Sequence, residues 1–457
     1  MNPQDFQRSM QSLPFPVHSL SVRQHGRLLS EEYFEPFKKG TLHRMFSVSK
    51  SLTALAIGAL IAEEKLSLDA RITDFFPEYV PENAHPYLTR MTIDDMLSMR
   101  TCHKNTTYKI NLKENWVRSF FVTAPDHRSG QIFKYDTSSA HTLAALVKKL
   151  SGMGVVDYLR SVFLDETLLS KDAYMLTDPF GDEIGGSGLI AYPTDLDKIG
   201  QFLLSVLNER VSEEYPLLTR DEPPYNEAFL KRYAAFIKEA LSFKTSTLHE
   251  GKTLDECQGY GYQIWQIRDG ISLYGMGGQY VLLYPQIDLV ITTTADCQAF
   301  AGGTQILLDS LRNIALGLGL NPASDDKAMA GDKAATSGTK AYSFGTYRIL
   351  DNPKGLISFS ISETEFRLQT KDSLYAIPYG HEKPASVVCD VNNQTLYTTG
   401  RTLPDGSLYL NVKILDEYVG SIHILIRSDE NSATLYLRKI EESLFDEFNG
   451  FFEAVRV

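Results

Sequence analysis

The chain has 457 residues, 43% of them hydrophobic, enough for two domains with sizeable cores, because units of roughly 100–200 residues are usual. A net charge of -12 and a pI near 5.4 supply no positive field for phosphate backbones or anionic lipid, so nucleic acid and membrane surfaces are excluded as natural partners and a small molecule is favoured. Cys102, Cys257, Cys297 and Cys389 form no CxxC pair and the ten histidines no HExxH, so no metal, cofactor or disulfide framework is expected.

The opening "MNPQDFQRSMQSLPFPVHSL" has no basic segment followed by an apolar run, unlike a signal peptide. The longest apolar or glycine run, 54–62, is about half of the ~20 residues a spanning helix needs. A cytoplasmic location is therefore expected. "HSLSVRQHGRLLSEEYF" reads as an opening hairpin. Apolar residues at helical spacing predict a helix over 50–64. "TIDD" at 92–95 is a capping box with Asp in the place of Glu or Gln. Leu143, Leu146, Val147 and Leu150 form one stripe of a helix over 138–150.

Further on, "SLYGMGGQYVLLYPQIDLVITTTAD" reads as a closing hairpin of two strands turning at 285–288, followed by a helix near 305–318. Strands at both ends with helices between them predict one antiparallel sheet assembled from the two ends of a domain over 1–320. Residues 321–340 are small, polar and without periodicity, a linker. After it, alternating segments with turns at 404–406 and 429–431 predict an antiparallel β domain over 341–457, a sandwich or barrel, with a short amphipathic segment around 444–452.

Three groups of residues carry chemistry. In "SVSK", Ser47 and Lys50 lie three apart, so they share a face if the helix begins at Ser47. A lysine inside an apolar helix can lose its proton and activate a serine hydroxyl, and the helix N-terminus favours an oxyanion. The other two SxxK matches, at Ser324 and Ser337, fall in the linker. The alternative is that Ser47 or Ser49 is an N-cap and Lys50 is solvated.

Tyr135, just ahead of the next helix, offers a phenol whose anion a neighbouring ammonium would stabilise, or a ring packed in the core. In "YGMGGQYVLLYP", Gly275, Gly277 and Gly278 in an otherwise Val- and Leu-rich strand mark a close backbone approach, with an N–H available to an oxyanion, or else a bulge. His43 near Ser47 has no carboxylate placed to orient it, so no His-based triad is encoded.

Taken in order, "SVSK", "YDT" and the glycine-rich strand resemble the serine β-lactamase and penicillin-binding protein superfamily, closest to class C β-lactamase-like esterases and amide hydrolases. "EEKLSLDARITDFFPEY", "MTIDDMLSMRT", "GGSGLIAYPTDLDKIGQFLL" and "GYGYQIW" add to the likeness, which covers about 18–320. The resemblance implies an α+β fold, with a central antiparallel sheet flanked by helices and an all-helical subdomain, and a cytosolic serine hydrolase acting on small esters or amides through an acyl-enzyme.

It further implies Ser47 as nucleophile, Lys50 as its activator, and Tyr135 as general base and then acid. The oxyanion hole would use the Ser47 N–H with Gly278 or Gln279, beside Gly277. Thr137 stands where the family commonly has Asn, and Gly275 or Met276 where a Lys or His is usual. The missing cation weighs against the two alternatives of the same mechanism, a true β-lactamase acting on lactams and a D-amino-acid peptidase. A third alternative is a catalytically weak binding or scaffold homologue.

Overall fold

The computed structural model describes residues 3–163, 168–211, 226–322, 341–381, 385–389, 394–415, 420–440 and 447–457. They group into two compact units, Met1–Ala124 with Lys134–Ala328, and Pro125–Phe133 with Met329–Val457.

In the first unit, β1 (Val17–Gln24), β2 (Arg27–Tyr33), β6 (Trp265–Ile267), β7 (Gly270–Gly275), β8 (Gln279–Tyr284) and β9 (Leu289–Ala295) form one antiparallel sheet in the order β2-β1-β9-β8-β7-β6. The two ends of the unit therefore do meet, β1 pairing with β9. The predicted closing hairpin contains three strands: β7 turns into β8 at 276–278, and β8 into β9 through 285–288. A small sheet joins β3 (His43–Arg44), β4 (Tyr174–Met175) and β5 (Leu189–Ala191).

The six-stranded sheet is covered on both faces, which explains the unbroken apolar run of β8. Leu282, Tyr280 and Tyr284 pack in a cluster with residues of α1 (Pro3–Gln11) and of the last helix of the unit, Gly303–Gly317. Val281 and Leu283 face a larger cluster built around α2 (Val48–Ala62), α6 (Thr137–Ser151), α7 (Val155–Phe163), α8 (Pro193–Leu207) and α9 (Glu227–Ala240). Between α2 and α6 lie α3 (Pro86–Thr89), α4 (Ile93–Leu97) and α5 (Trp116–Val122), and Gly303–Gly317 is α10. Helix α2 is buried on every side, Ile61 alone being partly exposed, the pattern of a helix at the centre of a core. No helix among the described residues is long and apolar enough to cross a membrane.

The second unit is an eleven-stranded, nearly closed and mainly antiparallel sheet over 345–456. Its inward residues, among them Tyr347, Phe366, Leu410, Ile424 and Leu435, form its own core. It ends in strand Gly450–Arg456 in place of the last part of the predicted amphipathic segment; 444–446 and most of the linker lie outside the described residues. Residues 125–133 belong to this unit: the Arg128 guanidinium bonds Asp429 at 2.7 Å, and the His127 ring stacks on Phe451 at 4.0 Å.

The capping box of α4 is complete. The Asp95 N–H donates to Thr92 Oγ1 at 3.2 Å, and the Thr92 N–H to Asp95 Oδ2 at 3.0 Å. This fixes the Met96 carbonyl, which accepts from Ser139 of α6 at 2.8 Å. Thr92→Ala is expected to lower unfolding free energy by about 1 kcal/mol, read as a shifted urea midpoint at unchanged slope.

Candidate active site

Chain direction changes sharply before α2. Phe46 has φ +45°, a left-handed conformation that costs a non-glycine residue on the order of 1–2 kcal/mol; retained strain of this kind points to function. Ser47 follows at the N-cap position, yet its hydroxyl makes no capping bond. Ser49 instead donates to the Phe46 carbonyl at 2.5 Å and accepts from the Leu189 N–H at 2.9 Å. The Ser47 hydroxyl is thereby released from the capping role that the sequence leaves open.

Lys50 is 1% exposed. Its Nζ donates to Ser47 Oγ at 2.9 Å and to the Gly186 carbonyl at 2.6 Å. Burial pulls the ammonium down from its usual 10.5 to about 7, with Asp136 pushing back and Lys109 adding to the fall. Asp136 is also fully buried, and burial pushes its carboxyl up although the Ser138 N–H donates to it at 2.9 Å.

Tyr135 enters from the other side. Its hydroxyl is hydrogen-bonded to Ser47, Lys50 Nζ lies 4.9 Å from its ring centroid, and Trp265 stacks on it at 5.7 Å. Burial dominates here too: it raises the phenol well above the usual range, more than the Ser47 bond lowers it. The phenolate that the sequence reading expects is therefore disfavoured, and Lys50 is the group poised near neutrality.

The glycine segment supplies the third wall. A Cβ on Gly275 would sit 2.1 Å from the Met45 carbonyl oxygen, so a bare backbone is what brings the end of β7 against the segment carrying Ser47. Gly277 and Gly278 have φ +91° and +106° and form a turn, not the interior of a strand. Gln279 is buried, and its amide donates to the Met276 and Ala295 carbonyls at 3.1 and 2.8 Å, fixing that turn. Met276 is half-exposed. Thr137, the first residue of α6, donates its N–H to Thr106 Oγ1 at 3.2 Å, and its methyl would be 2.4 Å from a Cβ on Gly186.

Ser47, Lys50 and Tyr135 thus share one cluster of contacts, and the glycine turn closes on Met45 beside them. The sequence reading did not single out Gly186, Asp136 or Trp265. "GGSG" and "GYGYQIW" held the signal for the first and last, since paired glycines mark close packing; nothing local distinguishes Asp136 from an ordinary helix cap. Among the described residues, no group of three or more His, Cys, Asp and Glu side chains could hold a metal.

Comparison with known proteins bears on the family and the fold. The family model described as Beta-lactamase matches residues 4–304. The chain is 24% identical over 202 residues to the 6-aminohexanoate-dimer hydrolase of Paenarthrobacter ureafaciens, covering 40% of this chain and 50% of that protein. It is 34% identical over 85 residues to the esterase EstB of Burkholderia gladioli, covering 17% and 22%. The chain therefore spans half the length of the first of these relatives and less of the second. Among solved structures, the octameric penicillin-binding protein homologue of Pyrococcus abyssi superposes with TM-score 0.51 at 17% identity over 100% of both chains. SurE superposes with TM-score 0.53 at 15% identity, covering 94% of this chain and 93% of that one. At these identities the two structures speak for the fold alone.

With lysine side chains isotopically labelled, one NMR signal is expected to titrate near pH 7 and to vanish in Lys50→Met, while the solvated lysines titrate at about 10.4. A set of lysines all titrating above pH 9 would contradict the burial argument.

Proposed function

Because the chain belongs to the beta-lactamase family, we propose that it is a serine hydrolase that forms an acyl-enzyme on Ser47 and acts on small esters or amides. The observation that carries this reading is the 2.9 Å bond between Ser47 Oγ and the amine of a lysine with almost no solvent contact. The named activities of the two relatives, hydrolysis of an amide dimer and of esters, support the substrate class.

In this mechanism neutral Lys50 accepts the Ser47 proton as Oγ bonds to the substrate carbonyl carbon. The carbonyl electrons move to oxygen, facing the Ser47 N–H and an N–H of the Gly278–Gln279 turn. Collapse of the adduct breaks the bond to the leaving alcohol or amine, which takes its proton through the Tyr135 hydroxyl. Water then attacks the ester on Ser47 with the same groups reversed, releasing the acid and restoring the serine. Thr137 and Gly277 would border the substrate. Met276, apolar and half-exposed, stands where a carboxylate-binding cation would serve a β-lactam or peptide C-terminus, which favours ester and amide substrates.

Ser47→Ala is expected to remove both turnover of an activated ester and the adduct formed with a fluorophosphonate, read by intact mass, while keeping the melting temperature within the shift that about 1 kcal/mol produces. A variant that is still labelled and active would overturn the assignment. The sign of the pH dependence follows from Lys50: protonated below about pH 7 it cannot accept a proton, and above it can. Thus kcat/KM should rise with pH and level off above pH 7, and a flat profile from about pH 5 to 9 would exclude Lys50 as the base.

A further inference from the structure

An amine serves as a base only if its lone pair is aimed at the proton it takes. Lys50 Nζ lies 2.9 Å from Ser47 Oγ and donates to the Gly186 carbonyl at 2.6 Å, so the place of that carbonyl decides how the amine is turned. Gly186 belongs to no helix or strand; it lies in the connection 176–188 between β4 and β5.

One face of α6 grips this connection. Thr137, His141, Ala144 and Lys148 recur at helical spacing and form a single row. A Cβ on Gly186 would sit 2.4 Å from the Thr137 methyl, and one on Gly185 2.3 Å from the Ala144 methyl, so both glycines lie flat against the helix. Beside them, His141 Nε2 donates to Asp178 Oδ2 at 3.2 Å, and neither side chain has any solvent exposure.

Asp178 passes the tie on. Its Oδ1 accepts from the N–H groups of Phe180 at 2.8 Å and Asp182 at 3.0 Å, which folds 178–182 into a turn. The chain then returns toward Gly186 with the Ile184 N–H donating to the Leu176 carbonyl at 2.7 Å and the Leu176 N–H to that of Gly188 at 2.9 Å. Burial pushes the Asp178 carboxyl up, yet the His141 bond and the two backbone donors bring it below its ordinary value, so it stays the ionised acceptor of this turn.

For packing alone, His141 is a costly residue. Tyr108 and Trp116 meet its ring edge-on at 5.7 and 5.6 Å, and its Nδ1 is buried with no hydrogen-bond partner among the described residues. An unmet buried polar atom is destabilising, and a leucine in the same row would avoid it. What the histidine adds is the bond to Asp178. Lys148 reaches the same turn, 3.0 Å from the Gly181 carbonyl, but its side chain is half-exposed, and exposed ties of this kind contribute little.

We propose that His141 is a positioning residue: through Asp178 it fixes the Gly186 carbonyl, and through that carbonyl it holds the Lys50 amine with its lone pair toward Ser47. Its effect on turnover rests on the serine-hydrolase reading; its effect on Lys50 does not. Without the tie the connection loosens, water reaches the amine, and the proton is held more tightly. The other groups that act on Lys50, namely Asp136, Lys109 and Tyr135, are left in place by a substitution at 141.

The test is NMR titration of isotopically labelled lysines in the full chain, read beside the pH profile of kcat/KM on an activated ester. In His141→Leu the Lys50 signal is expected to titrate at least about one pH unit higher, a tenfold change in proton affinity, and the rising limb of kcat/KM to move with it. His141→Gln, whose amide still donates to Asp178, is expected to restore the original midpoint, and Lys148→Ala to leave it unmoved. Should His141→Leu fail to fold, His141→Asn, polar but too short to reach Asp178, carries the same expectation. A Lys50 midpoint that stays put in these variants, or that rises equally in His141→Gln, would overturn the proposal. A midpoint that moves as expected in a chain that turns over no ester supports the placement of the amine and sinks the hydrolase reading instead.

Discussion

The organisation of the first unit turns on one unfavourable placement, an amine inside a helix that has no wet face. Lys50 is one of the largest fully buried side chains, and an isolated ammonium in such surroundings loses its proton rather than bear the cost of desolvation. Its amine donates to two acceptors, Ser47 Oγ and the Gly186 carbonyl, and both are brought by backbone features far from ordinary. One is the left-handed Phe46 that turns the chain into α2; the other is a glycine whose Cβ would collide with Thr137. The strain and close packing make sense as the means of holding a lone pair of electrons where a serine proton can reach it.

In the proposed mechanism that placement would also divide the labour between Lys50 and Tyr135. Both lie in the same low-dielectric surroundings, but burial acts on them in opposite senses because their charged forms differ in sign: it lowers the lysine and raises the tyrosine. Near neutrality both groups are therefore drawn toward their uncharged states. A neutral amine accepts a proton and a neutral phenol relays one, so the pair can work without ever separating charge in the resting site. Asp136 acts against this by favouring the ammonium, but its own carboxyl is pushed up by burial, which weakens the opposition.

Much of this was legible from local pattern. The buried helix after Ser47 and the capping box at Thr92 follow from periodicity and capping residues that operate within a few positions, and the order of strands and helices along the unit points to the pairing of its first strand with its last. The three-strand reading of 270–295 was missed because glycines within an apolar run look alike whether they interrupt a strand or turn it; only the pairing of Gly275 with Gln279 separates the cases. The sign of the Tyr135 shift was missed for a different reason. A neighbouring lysine is visible in sequence logic, whereas the Trp265 and Tyr260 rings that exclude water from the phenol come from more than a hundred residues away.

The glycine turn shows why site and fold cannot be separated here. Gly275 must be bare for β7 to touch Met45, Gln279 must be buried for its amide to tie Met276 to Ala295 of β9, and β9 is held in turn by β1 from the start of the chain. In the proposed mechanism the turn N–H offered to an oxyanion would thus be fixed by a sheet whose strands come from both ends of the unit, while Ser47 and its own N–H would be fixed by a helix from its middle. Such donors need no rearrangement as charge develops on the substrate, which is the condition under which backbone dipoles contribute most to catalysis. With Met276 contributing no charge to this wall, discrimination among substrates would fall to shape and to the aromatic surroundings of Tyr135, an arrangement suited to uncharged acyl groups.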